Sequence, residues 1–119
     1  MIIPSYSIRF YIRINKEQRG DTLTPLRLKV WVAATKSYLY STTTIKVTPN
    51  QWKHFNPKGM SSITADPAIA REVYVYLAVA QLVVSAAIVN NRIMTLTSDE
   101  FSFLVNKIVT KKFGFNRSL

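Results

Sequence analysis

Cysteine is absent from this 119-residue chain, which has one histidine, three glycines and six acidic residues. Without cysteine there is no disulfide framework and no thiolate metal site. That composition suits a reducing compartment, and a cytoplasmic protein is expected. Three glycines leave no glycine-rich phosphate loop. The single histidine, His54, has no carboxylate near it in sequence. The acids Glu17, Asp21, Asp66, Glu72, Asp99 and Glu100 fall at expected loops and helix starts, where capping and dipole roles account for most of them. The chain by itself is therefore not expected to be an enzyme, and no cofactor or metal is expected. A secretory signal is also missing: Arg9 and Arg13 interrupt any apolar run, and no small-residue cleavage site follows. There is no internal repeat and no low-complexity tract.

Positive charge is what the chain has in excess. Sixteen Lys and Arg face six Asp and Glu, giving a formal charge of +10. Such an imbalance costs self-repulsion unless a partner uses it, and nucleic acid and anionic membrane are the ordinary partners. The charge is patterned. Residues 7–15 alternate apolar Ile8, Phe10, Ile12 and Ile14 with Arg9, Tyr11 and Arg13. Residues 26–32 alternate Leu26, Leu28, Val30 and Val32 with Arg27, Lys29 and Trp31. Residues 36–42 have Lys36, Tyr38, Tyr40 and Thr42 as the outward set, and 44–47 continue the strand through a bend. Successive side chains on a strand point to opposite faces. Three paired strands would then have one oily face, made of Ile8, Phe10, Ile12, Leu26, Leu28, Val30, Leu39, Ile45 and Val47. The other face would be cationic and studded with rings. Residues 16–24, with Gly20-Asp21, read as a long hairpin loop, and 33–35 as a tight one, so the meander is antiparallel.

The second half reads as helical. Thr48-Pro49-Asn50-Gln51 carries a cap, a first-turn proline and a capping-box partner, which predicts one turn that aims Trp52 at the core. A breaker-rich loop follows. Residues 67–92 form the longest element, and their length without a turn residue predicts a helix with the stripe Ile69, Val73, Leu77, Ala80, Val84 and Ile88 on the sheet. Thr97-Ser98-Asp99-Glu100 starts a second helix with the stripe Phe101, Leu104, Val105 and Ile108; Lys107, Lys111 and Lys112 suit its end, and Gly114 its stop. The expected fold is α+β: a three-stranded antiparallel sheet packed on a long C-terminal helix, followed by a short second helix. Residues 1–94 would form the domain, with the sheet at 7–47 and the helix at 67–92. Residues 95–119 would be a helical extension and linker.

The run Thr43-Thr44-Ile45-Lys46-Val47-Thr48-Pro49-Asn50-Gln51-Trp52 resembles the N-terminal arm-type DNA-binding domain of tyrosine recombinases, the integrases of bacterial mobile elements such as phages and conjugative transposons. The resemblance rests on Thr43, Ile45, Val47, Thr48, Pro49 and Trp52, on the strand Pro25-Leu26-Arg27-Leu28-Lys29-Val30, and on the order of the later elements. Thr44 stands where that family usually has glycine, and the long helix carries less charge. The catalytic residues of a recombinase have no counterpart here. The chain thus resembles a fragment of a larger integrase, or a stand-alone relic, that lacks the downstream recombinase domains.

The resemblance implies sequence-specific binding of double-stranded DNA at arm-type sites, in the service of DNA integration and recombination. The contact residues expected are Arg9, Tyr11, Arg13, Arg27, Lys29, Trp31, Lys36, Tyr38, Tyr40 and Lys46. A β-ribbon or small sheet fits the major groove, where arginine reads guanine and lysine mostly neutralises phosphate. The alternative function is a protein-interaction or dimerisation module using the far side of the long helix, with Val75, Val79, Leu82 and Val89, and a homodimer as the partner. A third reading is a small membrane-associated protein, since residues 73–91 hold no charged side chain. Gln81, Ser85, Asn90 and Asn91 count against a span, as does the sheet that needs a cover, so no membrane partner is expected.

Overall fold

A computed structural model of the chain describes residues 5–13, 22–49 and 67–113. The alternating stretches form three strands, β1 (Tyr6–Tyr11), β2 (Thr24–Val32) and β3 (Ser37–Val47). They pair antiparallel in the order β1-β2-β3. β1 stops earlier than expected. Its last pair is Tyr11 with Arg27, and the next outward residue of β2 is Pro25, which has no N–H to extend a ladder. Ile12 and Arg13 therefore lie beyond the strand, and residues 14–21, with most of the expected 16–24 hairpin loop, lie outside the described residues. Pro25 is itself inside β2, which begins at Thr24. It is tolerated because β1 has ended there.

β3 is one continuous strand with a bulge. Pro25 pairs with Lys46 and Arg27 with Thr42, so Leu26 alone spans Thr43, Thr44 and Ile45. The surplus is even, and the strand keeps its faces. Thr43 stitches the irregular backbone: its Oγ1 donates to the Leu26 carbonyl at 2.7 Å and accepts from the Ile45 N–H at 3.1 Å. The Thr44 N–H donates to the Tyr76 hydroxyl at 3.0 Å. Thr44 is not among the described residues with positive φ, so this bulge has no need of the glycine found at that place in the integrase pattern.

Lys36 does not begin β3. It closes the turn 33–36 with φ 51°, in the left-handed region that favours glycine, and its N–H reaches the Ala33 carbonyl at 3.3 Å. Lys36→Gly is expected to raise stability by about 0.5–1 kcal/mol, read as a higher denaturant midpoint at unchanged slope. A lower midpoint would mean that the lysine side chain makes up for its backbone.

The long helix, α1 (Pro67–Val89), ends three residues before the expected boundary. Asn91 takes φ 57°; its N–H bonds the Ile88 carbonyl at 3.2 Å, and the Arg92 N–H bonds Ala87 at 2.7 Å. These two bonds are a Schellman stop, which asparagine tolerates. The buried stripe is rotated from the expected one. Ala70, Val73, Tyr76, Val79, Ala80, Val83, Val84 and Ala87 are buried, while Ile69, Leu77 and Ile88 only flank the core. Val79, expected on the far side, is thus inside. Tyr76 turns inward because its hydroxyl finds polar partners at the strand edge.

The second helix, α2 (Ser98–Ile108), starts as its sequence signals. Thr97 Oγ1 accepts from the Glu100 N–H at 3.1 Å and donates to the Glu100 carboxylate at 3.2 Å. A π-helical turn, Val109–Phe113, follows. Phe101, Val105 and Val109 enter the common core, whereas Leu104 is exposed and Ile108 half-buried, against expectation. The cause is a polar seam. Ser98, Ser102 and Asn106, each four residues apart, lie along the free edge of β3. Ser98 Oγ accepts from the Tyr40 N–H (3.1 Å) and Ser102 Oγ from the Thr42 N–H (3.4 Å). Asn106 Nδ2 donates to the Thr42 carbonyl (3.1 Å). The helix occupies hydrogen-bonding groups that an exposed edge strand would offer to other chains. The helical turn expected at residues 48–51, Trp52 and Gly114 lie at or beyond the limit of the described residues.

The core is the inner sheet face, Phe10, Leu26, Leu28, Val30, Val32, Leu39, Ile45 and Val47, closed by α1 and α2, with Ile8 and Ile12 packed at its margin. α1 is long and apolar enough to cross a membrane by length and composition, a test that core helices also pass. Here Val73, Tyr76, Ala80 and Val84 are turned into the core.

Candidate nucleic-acid interface

The opposite face of the sheet is built in cross-strand rows. One row is Ser7, Trp31 and Tyr38; the next is Arg9, Lys29 and Tyr40; the third is Tyr11, Arg27 and Thr42. Strand alternation sends all nine side chains to the side away from the core. Lys46, opposite Pro25, continues this face beyond the bulge. Arg13 follows Tyr11 past the end of β1 and is exposed. Lys36 sits at the hairpin tip, apart from the rows.

The rings order the cations. Lys29 Nζ lies 5.2 Å from the centroid of Tyr11 and 5.0 Å from that of Tyr38, within cation–π range of both. Trp31 meets Tyr38 edge-on at 5.0 Å, and Tyr38 meets Tyr40 at 5.9 Å. These aromatics stiffen the sheet and keep part of their surface exposed, 40% for Tyr38 and 46% for Tyr40. Lys29 is thus held upright between two rings on the central strand. No hydrogen bond or ion pair among the described residues occupies the side chains of Arg9, Arg13, Arg27 or Lys46.

Two shallow depressions interrupt the face. The first, about 250 Å³, is lined by Ser7, Arg9, Trp31 and Tyr38. The second, about 190 Å³, brings Arg13 and Arg27 together with Tyr11, Tyr40, Thr42 and the start of α2. Asp99 is on its rim. No local sequence pattern marks that carboxylate as a neighbour of the arginines, since none shows that α2 docks beside Tyr40. The Ser98–Tyr40 bond puts it there. Two guanidinium groups, phenolic and aliphatic hydroxyls and one carboxylate give this hollow both donors and acceptors. An anionic oxygen or the polar edge of a base fits that chemistry.

Among the described residues no group of three or more His, Cys, Asp and Glu is placed to hold a metal ion. His54 lies outside the described residues. No family model matches the chain, and the same comparisons find no similar curated protein and no similar solved structure.

Proposed function

We propose that this chain binds double-stranded DNA through the outer face of its sheet, in a sequence-dependent manner, as the arm-type module of a tyrosine recombinase. One observation carries the DNA part: Arg9, Arg27, Lys29 and Lys46 project from the same side, Arg13 joins them in the hollow it lines with Arg27, and exposed rings stand between them. The recombinase part rests on the motif around Thr48-Pro49 and on the order of elements in the sequence. The recombination chemistry would belong to downstream domains, and this chain would supply address and tethering. A three-stranded face of this kind is of a size to enter a major groove. Arg27, on the central strand and half-buried between its row neighbours Tyr11 and Thr42, is the best placed to read a base. Arg13 and Lys46, at the margins, are placed for phosphates.

Unpaired bases could also stack on exposed rings. Trp31, Tyr38 and Tyr40 already lean on one another, and that favours a duplex reader over a stacking platform. Titration of labelled duplex against protein at several salt concentrations tests the proposal. Neutralising four or five phosphates predicts that log affinity falls against log salt with a slope of about −4. A flat response, or equal preference for single strands of any sequence, would end it. Lys46→Ala is expected to weaken all duplexes alike and to make the slope shallower by about one unit.

A further inference from the structure

On the side of the molecule away from the cationic rows, α1 and α2 enclose a groove of about 390 Å³. Its walls are apolar, with Leu82, Ala86, Leu96, Leu104 and Ile108 among them. The apolar surface runs on past the groove: Leu82 in its wall is 57% exposed, and Val89 beyond it 79%. Scattered exposed apolar residues are ordinary, but a continuous strip beside an open groove is a contact surface.

We infer that this groove is the interface of a two-fold dimer, and that its occupant is the α1 ridge of a second copy of this chain. Charge is the first reason. A chain of +10 repels its own copy, yet residues 73–91 carry no charged side chain at all. The α1 strip is therefore a place where two copies can meet without bringing cations together.

The second reason is the rim. Beyond the uncharged stretch the groove has one cation, Arg92, and one anion, Glu100, both exposed. Neither side chain is ion-paired to the other or to another group among the described residues; Glu100 accepts only from the Thr97 hydroxyl. A two-fold axis places residue i against j and j against i. One cation and one anion on the same rim are self-complementary under that operation: each Arg92 meets the partner's Glu100, twice over. The third reason is size. A standard interface takes about 800 Å² from each partner. That is about a tenth of the chain's 8040 Å² of accessible surface. A 23-residue helix is about 34 Å long, so its exposed side can supply much of it.

The dimer would leave both cationic faces outward, and it stands or falls without DNA. Sedimentation of the whole chain, free of nucleic acid and detergent, from low to high micromolar concentration, should show a monomer–dimer equilibrium. Leu82→Lys should abolish the dimer, while circular dichroism shows the fold retained. Arg92→Glu and Glu100→Arg should each weaken self-association about tenfold or more, by setting like charges against each other. Mixing these two single variants should restore a dimer, as a heterodimer, because every cross-axis pair is again opposite in sign. An effect confined within one chain could not be repaired by mixing. Three results would overturn the inference: a parent chain that stays monomeric throughout, a dimer indifferent to Leu82→Lys, or single variants that fail to rescue each other. Flotation of the parent chain with neutral lipid vesicles would assign the strip to a bilayer and overturn it as well.

Discussion

The double variant Arg13→Ala/Arg27→Ala is expected to lose about 2–6 kcal/mol of duplex affinity, which is thirtyfold or more. Each arginine that pairs with a base or phosphate contributes roughly 1–3 kcal/mol, and the two line the same hollow. The losses need not add, since neighbours within one hollow couple. The two singles should differ in kind. Arg27→Ala should weaken the preferred site most, and so flatten the ranking of sites selected from a random duplex pool. Arg13→Ala should weaken every duplex by a similar factor and reduce the salt slope. Neither change should alter the unfolding free energy by more than about 0.5 kcal/mol, because no hydrogen bond or ion pair among the described residues depends on either side chain. The readout is fluorescence anisotropy at fixed salt on a selected duplex and on its scrambled counterpart. If the double variant binds as well as the parent, the sheet face is not the binding surface.

Asp99 gives this prediction a further edge. A carboxylate on the rim of a phosphate site costs affinity, whereas one beside a base-reading arginine can accept from a cytosine amino group. Asp99→Asn therefore separates the two. Tighter binding to all duplexes would mark the hollow as a phosphate clamp. Weaker binding to the preferred site alone would mark it as a reader.

Period-two alternation located the sheet because it is a local signal that burial on one face enforces. Ile8, Phe10, Leu26, Leu28, Val30, Leu39, Ile45 and Val47 all face the core or its margin. The helices were legible in existence and less so in rotation. α1 is apolar on nearly every side, so the stripe through Leu77 and the one through Tyr76 differ little by pattern. The choice falls to one hydroxyl. Tyr76 can be buried because the edge of β3 and Asn106 satisfy its oxygen, and nothing within α1 records those partners. The same holds for α2. Its polar residues Ser98, Ser102 and Asn106 look like a solvated face, yet they lie against β3. Arg27 and Asp99 line one hollow only because that seam exists.

Phe101→Ala is expected to be the most damaging single change, costing about 3–5 kcal/mol, on the order of half the stability of a domain this size. α2 is held by two sets of contacts, and their magnitudes decide which one matters more. The apolar set is Phe101, Val105 and Val109, all fully buried. Truncating the largest of them leaves a cavity between α2 and the sheet, and the surroundings can relax into it only in part. The polar set is the seam along β3, and beside it the Tyr76 hydroxyl donates to Asn106 Oδ1 at 2.9 Å and accepts from the Thr44 N–H at 3.0 Å. Tyr76→Phe deletes that oxygen and keeps the ring. Thr44 is exposed, so water can replace its lost partner, and the expected cost is only about 1 kcal/mol. The two variants should therefore separate in hydrogen exchange. Tyr76→Phe should speed exchange at the Thr44 amide and leave Val30 in the central strand protected. Phe101→Ala should release Tyr40 and Thr42 together, since their partners Ser98 and Ser102 travel with α2, and should lower the global midpoint as well. Equal losses in the two variants would mean that the hydroxyl fastens the helix to the sheet as firmly as the ring of Phe101 does.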